Sequence, residues 1–184
     1  MDAVSSGCGC RWGSWTHASS PCRGVNGRAE GPAWHRKALA TGPGAGHGGV
    51  MTSLIAHTSV DCRNAYQLSI FWKQVIGYSD IPGDPNLPGH EECMIEDADS
   101  GHRVLFIEVP EEKTVKTRLH FDLRPRTGTQ AEEVDRLLGI GARQVADHRD
   151  IHGPGTGWVI LADPEGNEFC ILRSLSEVEQ NAAN

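Results

Sequence analysis

The sequence predicts an α+β fold made of two βαβββ modules that curve around a half-open cleft. Two observations carry that prediction. From Met51 onward the order of elements runs strand, helix, several strands, and then repeats. In each copy a strand histidine stands ahead of a helix that stops on glycine, with 20 residues from His57 to Gly77 and 21 from His120 to Gly141. One such unit exposes a sheet face it cannot bury, whereas two units together enclose one.

Taken in order, residues 54–61 alternate and are β-branched enough to form a strand. Ala65, Leu68, Phe71, Trp72, Val75 and Ile76 then recur at intervals of three and four, the apolar stripe of an amphipathic helix, which Gly77 ends. This stripe assigns Trp72 to the core. A polar, turn-rich loop over residues 82–92 leads to strands at 93–97 and 102–109. The second unit opens with alternation over residues 118–123 and continues into a helix over 129–139, with Val134, Leu137 and Leu138 on one side. Strands follow at 143–147, 157–161 and 168–173, the last two joined by the turn Asp163-Pro-Glu-Gly-Asn. Residues 176–184 read as a frayed tail.

Composition divides the chain of 184 residues at Met51. Residues 1–50 hold 11 of the 22 glycines and carry a net charge of +3, while the remaining 134 residues carry −10. A glycine-rich stretch such as residues 41–49 cannot bury enough apolar side chain to offset its ordering entropy, so the first 50 residues are expected to be a disordered leader. A misassigned start codon, with Met51 the true start, or a dispensable tail would both explain it. Cys8, Cys10, His17 and Cys22 are zinc-ligand types, but they lack the paired spacing of zinc modules. Residues 51–175 form the expected folded domain.

The overall charge of −7, without clustered Lys and Arg, excludes a nucleic-acid-binding body. Apolar runs of four or five residues exclude a spanning helix, which needs about 20. With no export signal, the six scattered cysteines read as reduced thiols in a cytoplasmic protein.

The candidate site comes from strand alternation. A period of two places Leu119, Phe121 and Leu123 on one face and His120, Asp122 and Arg124 on the other. The apolar face must pack on helices, which turns His120 and Asp122 toward the cleft. The same reasoning groups His57 with Ser59 and Asp61, and Glu168 with Cys170 and Leu172. Two imidazoles and one carboxylate on three strands facing one cleft make a two-histidine, one-carboxylate metal site with open positions, suited to Fe, Zn, Ni, Mn or Co. Trp158 alternates against Val159 and is a candidate stacking residue in the same cleft, with Asp122 and Cys170 as further cleft candidates.

Residues 51–173 resemble the vicinal oxygen chelate superfamily, in particular its small glyoxalase-like and bleomycin-resistance-type domains. The resemblance lies in Ile55-Ala-His-Thr-Ser-Val-Asp-Cys, Phe71-Trp-Lys-Gln-Val-Ile-Gly-Tyr, Val104-Leu-Phe-Ile-Glu-Val-Pro-Glu, Lys116-Thr-Arg-Leu-His-Phe-Asp-Leu and Gly157-Trp-Val-Ile-Leu-Ala-Asp-Pro-Glu-Gly-Asn-Glu-Phe-Cys. It implies a divalent metal held by one residue from the first and one from the last strand of each module, positions that His57, His120 and Glu168 match. At the fourth position either Glu108 or Ile107 faces the cleft, and the alignment favours Ile107. The resemblance further implies a small substrate chelating the metal through adjacent oxygens, with Glu168 as proton-transferring base. Lyase, isomerase and dioxygenase chemistry all stay open, as does a non-catalytic protein that sequesters a small molecule or antibiotic. A homodimer is also implied.

Overall fold

The structure, a computed structural model, describes residues 53–182. The expected leader and its cysteines lie outside the described residues.

The first module comprises β1 (Thr58–Cys62), α1 (Ala65–Ile76), β2 (Ser79–Asp80), β3 (Glu92–Glu96) and β4 (Arg103–Glu108). The second comprises β5 (Asp122–Leu123), α2 (Gln130–Gly139), β6 (Arg143–Asp147), β7 (Trp158–Ala162) and β8 (Glu168–Leu172). Each builds a four-stranded sheet, β1-β4-β3-β2 and β5-β8-β7-β6, in which the first strand pairs parallel with the last and the others run antiparallel. The repeat read from the sequence is therefore a repeat of topology, and the α+β two-module architecture is the observed one.

Local chemistry sets the helix ends. Asn64 caps α1 by accepting from the Gln67 N–H at 2.8 Å, and Gly77 closes it in the left-handed region at φ 76°, donating to the Lys73 carbonyl. Thr129 and Glu132 cap α2 reciprocally, each side chain accepting from the other residue's backbone N–H.

Three expectations need correction. The first strand begins at Thr58 rather than at residue 54, because its sole ladder partner, β4, begins pairing at Val104 opposite Thr58; Leu54 and Ile55 are left 80 % and 87 % exposed. The strand expected over residues 118–123 shrinks to Asp122–Leu123, and Leu119 is 89 % exposed instead of packing on a helix. The chain ahead of β5 instead folds over the start of β8, where it meets Glu168. The supposed frayed tail holds a helix, α3 (Leu175–Ala182). Its start is fixed by Ser174 and Glu177: the Glu177 carboxylate accepts from the Ser174 N–H at 2.8 Å while the Ser174 hydroxyl accepts from the Glu177 N–H at 3.3 Å.

Both helices and the helix-covered faces of both sheets merge into one apolar core. It joins Leu68, Phe71, Trp72 and Val75 of α1 and Val134 and Leu137 of α2 to Val104 and Phe106 of β4, and to Val159, Leu161, Phe169 and Ile171 of β7 and β8. Trp72 is the bridge between modules, buried as expected. Its ring centroid lies 5.1 Å from that of Phe169 and 5.4 Å from that of Phe121, and its Nε1–H donates to Asp163 at 3.1 Å. Burying an indole this way is favourable because its one polar atom has a partner. The turn that supplies Asp163 also supplies Glu165, whose carboxylate accepts from the N–H groups of Arg63 and Asn64 at the start of α1.

Candidate metal centre

The sheet ladders decide which side chains leave the core. In β8, Phe169 and Ile171 enter it, so Glu168, Cys170 and Leu172 take the opposite face. In β7, Val159 and Leu161 enter it, so Trp158 and Ile160 share the face of Cys170, the pairs Trp158–Leu172 and Ile160–Cys170 lying in register. Asp122 pairs with Cys170 across the parallel ladder, and Phe121 and Leu123 pack against the core. The alternation therefore sorts these residues as the sequence pattern expects.

On this face His120, Asp122 and Cys170 come together, each offering one ligand atom within 4.8 Å of the others. His120 Nε2 lies 3.5 Å from Asp122 Oδ1. Cys170 forms the buried floor, and burial together with the hydrogen bond and charge of Asp122 pushes its thiol pKa up to about 11.

Glu168, two residues along β8 from Cys170, is engaged elsewhere. Its Oε2 accepts from the Thr117 N–H at 2.9 Å and hydroxyl at 2.6 Å, and pairs with Lys113 Nζ at 2.9 Å. Burial works to raise its pKa, but the bonds from Thr117 and Lys113 outweigh it and hold the carboxyl at about 2. His57, half-buried, is the residue just ahead of β1 and is not in the His120 group. Glu108 does not face the cleft. It follows Val104 and Phe106 onto the helix side of β4, where its carboxylate accepts from the Ala65 N–H at 3.1 Å. Ile107 takes the other face, packed against Ile81, Met94 and Leu105.

Trp158 has two histidine neighbours that strand alternation does not group with it. The rings of His148 and His152 lie 5.2 Å and 6.2 Å from its centroid, both tilted against it. The signal was available in the hairpin: Gly157 brings the chain back so tightly that the His148 N–H donates to the Trp158 carbonyl at 2.9 Å. Thr117 and Lys113 were also missed, since they come from a loop with no periodicity. His102 sits between Thr58 and Tyr78, with its Nε2 3.3 Å from the Thr58 hydroxyl and its Nδ1 3.0 Å from the Tyr78 hydroxyl.

The donor set of this face, imidazole, carboxylate and thiol, fits a divalent ion chemically. Residues 57–172 match the family model of the glyoxalase-like domain, and the chain belongs to that family, within the vicinal oxygen chelate superfamily. No curated protein matches the sequence. Among solved structures, a mutant of the fosfomycin resistance protein FosX from Listeria monocytogenes, complexed with Mn(II) and 1S,2S-dihydroxypropylphosphonic acid, has a TM-score of 0.50 at 14% identity, over 72% of this chain and 99% of that one. A monoclinic form of the same organism's FosX has a TM-score of 0.51 at 15% identity, over 70% and 98% of the two chains. These likenesses define the fold. Among the described residues, no helix is long and apolar enough to cross a membrane.

Proposed function

We propose that this glyoxalase-like domain binds a divalent metal ion on the face of its second module and presents it to a small molecule bearing adjacent oxygens. His120 is the pivotal ligand; the sequence pattern implies His57 and Glu168 as its companions, with Glu168 also the candidate proton-transferring base, while Asp122 and Cys170 are the donors that stand beside His120. The observation that carries this reading is the convergence of His120, Asp122 and Cys170 beside Glu168 on one sheet face outside the core. The FosX complex with Mn(II) and a dihydroxy compound is compatible with such a ligand. A bound metal would act as a Lewis acid on the chelating oxygens. The chain itself would position the donors, and Glu168 would take up a proton only once Thr117 and Lys113 release its carboxylate. Lys113 competes with the ion for that carboxylate and must withdraw when Glu168 coordinates.

The test is metal retention. Protein exposed in turn to Fe(II), Zn(II), Ni(II), Mn(II) and Co(II), then dialysed, is expected to keep about one equivalent of at least one ion by elemental mass spectrometry, and His120→Ala to keep none. If wild type retains none of the five, the metal reading fails. A second reading then stands, favoured by Trp158 and its flanking His148 and His152: a ligand-sequestering protein whose aromatic wall stacks a planar or cationic guest.

A further inference from the structure

We propose that His120, Asp122 and Cys170 form a thiolate-containing, zinc-type site, a donor set different from the His57–His120–Glu168 set. This inference rests on the reading that the second-module face holds a metal, and it specifies which atoms do so and which ions they select.

Three features point to it. The first is spacing. His120 Nε2 and Asp122 Oδ1 stand 3.5 Å apart. Two ligands at zinc–nitrogen and zinc–oxygen bond lengths on adjacent corners of a tetrahedron are about 3.4 Å apart, so this edge is already set. Cys170 lies within 4.8 Å of both, and a side-chain adjustment of about 1 Å closes the remaining edges.

The second feature is rigidity combined with access. Asp122 and Cys170 are ladder partners in a parallel pair, and the Cys170 N–H donates to the Phe121 carbonyl at 2.8 Å, which ties the His120–Asp122 segment to β8. The sulfur is buried at the floor, while the side chains of His120 and Asp122 keep 36 % and 56 % of their surface, leaving a side from which an ion enters and a fourth position for an outside ligand.

The third is competition. Glu168 is the other carboxylate of this face, and Lys113 and Thr117 already engage its Oε2, so coordination through that oxygen competes with three contacts. Asp122 has no comparable clasp among the described residues: its side chain meets the two other members of the cluster, His120 and Cys170. One sulfur donor beside nitrogen and oxygen favours Zn(II) or Co(II) over Mn(II), which prefers oxygen.

The experiment uses Co(II) as a spectroscopic substitute for Zn(II) in the full chain. A thiolate ligand produces a sulfur-to-cobalt charge-transfer band in the near ultraviolet, and tetrahedral Co(II) produces intense visible bands. Wild type is expected to show both. Cys170→Ser is expected to lose the charge-transfer band, Asp122→Asn to weaken Zn(II) binding on the order of 100-fold, and Glu168→Gln to keep the band. Asp122 is on the surface, so its variant reports even if replacing the buried Cys170 harms folding.

Three outcomes overturn the proposal. Stoichiometric Co(II) without the charge-transfer band leaves the metal reading standing and removes the thiolate. A band that survives in Cys170→Ser assigns the sulfur to another cysteine. If neither Co(II) nor Zn(II) binds, this inference fails, and the reading beneath it fails as well only if Fe(II), Ni(II) and Mn(II) are not retained either.

Discussion

Glu168 shows how one side chain can serve the fold and stand beside a candidate metal site. Its carboxyl is held at about 2 against an ordinary value of 4.5, by the Thr117 hydrogen bonds and Lys113 acting against burial. A group whose folded pKa is depressed contributes stability that is complete above the unfolded pKa and is lost as pH falls through the folded one. The window here runs from about 4.5 down to about 2. Glu168→Gln is therefore expected to unfold more easily than wild type at pH 7, by about 1 kcal/mol. That gap should close as the pH is lowered through the window, as urea midpoints at successive pH values would record. A gap that stays constant to pH 2 would show that the clasp does not depend on the charge.

At the scale of elements, the tight return between β6 and β7 holds the aromatic wall in place. Gly157 has φ +87°, and a Cβ built there would stand 1.9 Å from the His148 carbonyl oxygen. The obstacle is backbone, so it cannot swing aside. Gly157→Ala is expected to cost about 2 kcal/mol or more in stability and to separate His148 from Trp158. Both effects can be read from one set of samples, as a lowered thermal midpoint and as a changed Trp158 emission. An unchanged midpoint would mean that the hairpin relaxes freely and does not fix the wall.

These elements also separate what was legible from what was not. The α1 stripe, the Gly77 stop and the β8 alternation are periodic, and period is what a sequence displays. The start of β1 and the length of β5 depend on where a partner strand begins, which no local pattern records. The Ser174–Glu177 cap was written in the sequence as a serine three residues before a glutamate, and the absence of a following apolar stripe obscured it. At the site, alternation placed Asp122, Trp158 and Cys170 on one face. The diversion of Glu168 to Lys113 and Thr117 was invisible, since it depends on the path of an irregular loop.

For the whole molecule, the governing fact is the shared core. Both sheets turn their helix-covered faces into it, through Trp72 of α1 against Phe121 and Phe169 of the second module, so the opposite faces of the two sheets both lie outside the core. His57 stands just ahead of β1 of the first sheet, and His120 just ahead of β5 of the second. If two copies pair so that the first module of one meets the second module of the other, a metal site would take His57 from one copy and His120 from its partner. Such a twofold assembly has a distinctive signature. In that assembly His57→Ala and His120→Ala homodimers would each lack every complete site, whereas a His120–Asp122–Cys170 site within one chain survives His57→Ala. Unfolding and refolding the two together forms mixed dimers in which one of the two sites draws both histidines from intact positions. About a quarter of the wild-type sites should then return, since about half of the dimers are mixed. Metal retained after dialysis counts them directly. Recovery near that fraction would place the site between copies. No recovery from a mixture shown by mass to contain mixed dimers would place each site within a single chain, and the pairing of modules across copies would be wrong.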